Sequence, residues 1–148
     1  MDETKQKQVA MHKDFFDRTQ KAIDQGCYLE AVFLEYAAIE SRLEILMGVL
    51  GAPCNKELPP NQRKEINISH RIRCVSGFYK NEREIGTTKL TTAYFKRLNE
   101  WIKERNSYIH GLYKNEIVYI ERSAGANELA EQGLKLARLL YNEVKRIR

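Results

Sequence analysis

Residues Val32 to Leu50 read VFLEYAAIESRLEILMGVL, and the spacing within this stretch decides the fold. Val32, Tyr36, Ile39, Leu43, Leu46 and Leu50 recur at alternating intervals of four and three. That rhythm lines one face of an α-helix, whereas a strand would need alternation. It predicts a helix over about Leu29 to Leu50, closed by Gly51 and Pro53. Glu35, Glu40, Ser41, Arg42 and Glu44 interrupt the apolar run. No segment therefore reaches the ~18 apolar residues of a membrane span.

Upstream, a helix over about Thr4 to Asp24 places Val9, Phe16, Ala22 and Ile23 among its apolar positions, and Gln25-Gly26 stops it. Downstream, Pro53, Pro59 and Pro60 mark Ala52 to Asn67 as the longest loop. A third helix over about Ser69 to Lys80 carries Ile72, Val75 and Phe78, and a charged connection runs from Asn81 to Gly86. Thr87 or Thr88 is the expected cap of a fourth helix, from about Lys89 to His110 or Tyr113. Ile117 to Ile120 is β-branched and reads as extended. Gly125 precedes a last amphipathic helix with Leu129, Leu134, Leu136, Ala137, Leu140, Tyr141 and Val144 available for burial. The expected architecture is all-α, a four- or five-helix up-and-down bundle forming one domain over residues 1–148.

Composition agrees. Only three prolines and eight glycines interrupt 148 residues, and 30% are charged, mostly good helix formers. Met1 to Lys5 is polar, with no secretory leader pattern. Cys27, Cys54 and Cys74 form an odd set without metal spacing, expected as reduced thiols of a cytoplasmic protein. His70 and Cys74, four apart, read as structural rather than as metal ligands, and neither a metal nor a cofactor is expected. Phosphate-loop, nucleophile-elbow and dinucleotide fingerprints are absent. A net charge of +5 permits attraction to nucleic-acid phosphates. The terminal Lys145-Arg146-Ile147-Arg148 cluster suits a solvated helix end as well as a phosphate contact. Tyr28, Tyr36, Tyr79, Tyr94 and Tyr108 read as core and boundary residues rather than stacking platforms.

Two positions break the apolar pattern. With Tyr94 at zero on an ideal helix, Leu98 falls at ~40°, Trp101 at ~−20°, Tyr108 at ~−40°, and Arg105 lands among them at ~20°. An arginine there must snorkel, pair with a carboxylate or face a polar cleft. On the second helix, with Val32 at zero, Glu40 falls at ~80°, between Met47 at ~60° and Phe33 at ~100°. An ion pair between Glu40 and Arg105 is the natural expectation, whether as a structural bridge or as part of a site. Asn106 and His110, four apart, share a helix face. His110 lies about 140° round from Arg105 and immediately before Gly111. A histidine alone at a helix end is usually explained by exposure or by the helix dipole.

The stretch Arg105-Asn106-Ser107-Tyr108-Ile109-His110 resembles the Arg-x4-His signature of the HEPN superfamily, with Asn directly after the Arg. The Ala-Ile-Glu-Ser run at Ala38 to Ser41, a variable loop and a late motif also resemble that superfamily in order. The resemblance implies a helical bundle and a metal-independent endoribonuclease, often a toxin or antiphage effector. It implies a homodimer in which two motifs meet, and an antitoxin as a further partner. Arg105 would hold the scissile phosphate, His110 would act as general acid or base, and Asn106 would orient either group, with Glu40 and Tyr113 in support. One chain supplies one such histidine, so acid and base together need a second copy. Trp101 and Tyr108 are expected as apolar surface for that dimer. Where the toxin branch has Tyr one residue beyond the His, Tyr113 stands one place later, so adenylylation control is not implied. A looser similarity to mannitol-operon-repressor-like helical proteins implies instead a non-catalytic regulatory or interaction module.

Overall fold

The computed structural model describes residues 2–50, 67–81, 90–111 and 125–147. These residues form five helices: α1 (Glu3–Asp24), α2 (Tyr28–Leu50), α3 (Ile68–Asn81), α4 (Thr92–Gly111) and α5 (Ala126–Ile147). No strand occurs among the described residues, so the fold is an all-α helical bundle. The expected loop over 52–66, the connection after Asn81, Thr87, Thr88, Tyr113 and the run Ile117–Ile120 lie outside the described residues.

Local chemistry sets the helix ends. Asp2 opens α1 by accepting the Thr4 amide at 3.3 Å. At its far end, Cys27 N donates to Ala22 O at 2.8 Å and Gly26 N to Ile23 O at 3.0 Å. This is a Schellman stop, with Gly26 at φ 77, where a side chain would be strained. The chain therefore turns within three residues, and α1 packs back on α2. Asn67 caps α3 by accepting the His70 amide at 2.9 Å. The fourth helix starts later than expected: Thr91, not Thr87 or Thr88, is its cap, accepting the Tyr94 amide at 3.2 Å. The Thr91 hydroxyl reaches the third amide of the helix, the reach an N-cap needs.

Helix α2 is central and packs on all four others. Its stripe lies as read: Val32, Ile39, Leu43 and Leu46 are fully buried. Each such side chain contributes roughly 1.5–3 kcal/mol. The face of α5 that meets this core is made small by Ala130, Gly133 and Ala137, all buried. A Cβ at Gly133 would collide with Glu35 Oε1 and lie 2.5 Å from Trp101 Cζ2, so glycine sets how closely these helices approach. Aromatic side chains then lock α4 to α5 through backbone carbonyls. Trp101 Nε1 donates to Leu129 O at 2.8 Å, and the Tyr94 hydroxyl to Leu136 O at 2.7 Å.

That locking corrects one expectation. Trp101 is 0% exposed and Tyr108 7%, so neither offers apolar surface to a second copy. A helical wheel shows which residues share a face; here α5 covers the face they share. Tyr79 and Tyr94 are buried and Tyr28 and Tyr36 half-buried, as expected of core and boundary tyrosines. Among the described residues, no helix is long and apolar enough to cross a membrane.

Candidate functional site

Arg105 stands at the junction of α4 and α2. Its guanidinium carbon lies 4.0 Å from the centroid of the Tyr36 ring and 5.1 Å from that of Phe33. Both rings come from the face of α2 that carries Glu40. The two rings attract its charge through their π faces. Nη1 donates to Asn106 Oδ1 at 2.9 Å, while Nε is buried with no hydrogen-bond partner.

The expected ion pair with Glu40 does not form; stacking replaces it. Among the described residues, no carboxylate lies within ion-pair distance of Arg105. Burial lowers the Arg105 pKa, and the neighbouring Tyr36 and Glu40 partly offset this through space. Glu40 instead presents its backbone carbonyl to Arg71 Nη1 at 3.3 Å, and Arg71 also reaches Glu44 at 3.4 Å. Tyr36 is pushed up by burial and by Glu40, against the pull of Arg105 and Arg71. The result is a half-buried cation lying over two aromatic rings, with no carboxylate partner among the described residues.

His110 is exposed in the last turn of α4. Helix geometry separates it from Arg105 by about 7.5 Å of rise and about 140° of turn. Within one chain, therefore, the structure brings together Arg105, Asn106 and Tyr36, places Glu40 near them, and leaves His110 on another face. Tyr113 lies outside the described residues.

Reading the sequence for breaks in pattern missed Glu35. It is 0% exposed, and neither carboxylate oxygen has a hydrogen-bond partner. Burial pushes its pKa from 4.5 up to about 9. The signal was present: with Val32 at zero, Glu35 falls at ~−60°, beside Leu46 at ~−40°. It is enclosed by α2, α4 and α5, against Trp101 and the bare Gly133 backbone.

Elsewhere, His70 Nε2 lies 3.5 Å from Cys74 Sγ, and among the described residues no third metal-ligating side chain joins them. Cys27, exposed, and Cys74, buried, form no disulfide among the described residues. In the terminal basic cluster, Arg146 is tied to Glu143, which also accepts from the Tyr79 hydroxyl at 3.0 Å. Comparison with family models, with curated proteins and with solved structures finds no match.

Proposed function

We propose that this chain is a metal-independent endoribonuclease of the HEPN type, acting as a homodimer. One observation supports the reading: the Arg105 guanidinium lies over the Tyr36 and Phe33 rings and donates to Asn106, with no carboxylate partner among the described residues. A structural arginine at such a half-buried position ordinarily has an ion partner. One stacked on rings with donors to spare suits a phosphate, which it can grip through charge-assisted hydrogen bonds.

The chemistry follows from residue types. A base removes the proton of a ribose 2′-hydroxyl, whose oxygen attacks the adjacent phosphorus. The 5′-oxygen leaves and takes a proton from an acid, and a 2′,3′-cyclic phosphate remains. Imidazole can serve in either role near neutral pH. Arg105 stabilises the charge that develops on the phosphoryl oxygens. Since His110 lies on a different face from Arg105 in its own chain, the site is completed by a second copy. Leu29 and Phe33, exposed on α2, the second of them against Arg105, supply apolar surface for that contact.

A second reading, a non-catalytic interaction module, is favoured by the same exposed Leu29 and Phe33. The two readings part in one experiment. Purified protein is incubated with single-stranded and structured RNA in excess EDTA, beside the His110→Ala variant. The enzyme reading expects 2′,3′-cyclic phosphate ends from the wild type and a loss of about 10²–10⁴-fold in the variant. No cleavage, or equal cleavage by both proteins, sinks it in favour of the interaction module.

A further inference from the structure

Among the described residues, Val9, Met11, Leu29, Phe33 and Val49 are the large apolar side chains left exposed. Such residues are ordinary when scattered singly. Phe33 is not of that kind. It is the aromatic member of the set, 49% exposed, and its ring lies 5.1 Å from Arg105 Cζ. Leu29, one turn earlier on α2, is 36% exposed and extends the apolar surface.

Helix geometry accounts for the exposure. With Phe33 at zero on an ideal helix, Glu40 falls at ~−20°, Leu29 at ~−40° and Tyr36 at ~−60°. The buried stripe lies further round, with Leu43 at ~−80°, Val32 at ~−100° and Ile39 at ~−120°. The bundle covers that stripe and leaves the edge with Leu29 and Phe33 open. Arg105 reaches this edge from α4, 4.0 Å from the Tyr36 centroid, and engages Asn106 through Nη1. Among the described residues it makes no ion pair, and Glu40 acts on it only through space. A cation and an exposed ring from two different helices thus stand side by side.

We propose that Phe33 is the base-stacking residue of the Arg105 site: a nucleotide whose phosphate lies on the guanidinium rests its base on the exposed part of the Phe33 ring. The phosphate placement rests on the function proposed above, whereas the stacking does not require cleavage. Cation and ring match the two ends of a nucleotide, an anion and a flat π surface. Every base has a π face and phenylalanine has no hydrogen-bonding group, so the contact is indifferent to base identity. A base inside a duplex is stacked on its neighbours and cannot reach the ring. The corner therefore selects unpaired strands without reading their sequence. Because a second copy completes the site, the strand runs along the seam, and a ring beside Arg105 borders both the strand and the partner.

Fluorescence anisotropy of labelled strands bound to the full chain tests this. The probes are a short RNA with 2′-O-methyl riboses, which 2′-hydroxyl attack cannot cleave, the same strand annealed into a duplex, and an abasic strand of equal length. The variants are Phe33→Leu, which keeps an apolar side chain at this exposed position, and Phe33→Trp, which keeps a ring. Wild type and Phe33→Trp are expected to bind the single strand at least about tenfold more tightly than the duplex or the abasic strand. Phe33→Leu should erase that margin, while its affinity for the other two probes, its circular dichroism and its sedimentation stay as in the wild type. Single-strand binding unaffected by Phe33→Leu overturns the proposal, as does absence of binding at high micromolar protein. An equal loss on all three probes, or a change of oligomeric state, also overturns it and makes Phe33 a contact between copies only. A wild type that shows the margin yet cuts no RNA rejects the enzyme and keeps the stacking. Cleavage with binding indifferent to Phe33→Leu does the reverse.

Discussion

The carboxylate of Glu35 lies against the bare backbone of Gly133, enclosed by Trp101 and with no hydrogen-bond partner for either oxygen. A charged carboxylate so placed is far costlier than a protonated one. The bundle therefore folds around the neutral acid, and its stability is linked to pH.

Folded Glu35 keeps its proton up to about 9, whereas the unfolded residue loses it near 4.5. The unfolded chain thus binds fewer protons between these values, and stability falls as pH rises through that window. The slope is at most about 1.4 kcal/mol per pH unit, full stability being reached below the unfolded pKa. Urea unfolding at pH 5 and pH 8 should show the protein weaker at pH 8. Glu35→Gln should flatten the difference, and Glu35→Met should be the more stable protein at pH 8. An unchanged slope in Glu35→Gln would place the titrating group elsewhere.

Gly133→Ala sets two effects against each other. Alanine gains about 1 kcal/mol of helix propensity. Its Cβ, however, would lie 2.5 Å from Trp101 Cζ2, and that indole is fully buried and bonded to Leu129 O. Overpacking against a rigid ring costs about 1–3 kcal/mol, so the net effect should be destabilising. A rise in melting temperature would show that α5 can shift away from α2 at little cost.

Thr91→Ala removes the acceptor of the Tyr94 amide at the start of α4. The expected loss is about 1 kcal/mol, read from denaturant midpoints. A loss within error would show that the start of α4 contributes little to the cooperative unit.

Arg105→Met separates the two accounts of the motif. If Arg105 bridged a carboxylate, its removal would strand a charge and cost about 3–5 kcal/mol. Among the described residues no carboxylate pairs with it, and methionine keeps much of the packing on Tyr36 and Phe33. Stability should therefore change by less than about 1 kcal/mol, while the proposed RNA cleavage should be lost. A large destabilisation would mark Arg105 as structural. His110→Ala, at an exposed helix end, should change stability by no more than about 0.5 kcal/mol.

What the sequence determined by itself was periodic or local. The three-and-four spacing of Val32 to Leu50 needs no partner to declare a helix, because it follows from helical geometry alone. The stop at Gln25-Gly26 was equally legible, since only glycine takes the left-handed turn there without strain. Arg105 was visible as a break in an apolar arc, and three outcomes were open to it. Tertiary structure decided among them, because the packing of α2 on α4 puts Tyr36 and Phe33, rather than the Glu40 carboxylate, against the guanidinium. It likewise decided that α5 covers Trp101 and Tyr108, and that Gly133 leaves just enough room for Glu35 to be buried. Periodicity assigns a residue to a face. Whether that face meets a ring, a carboxylate or water depends on how helices distant in sequence are packed.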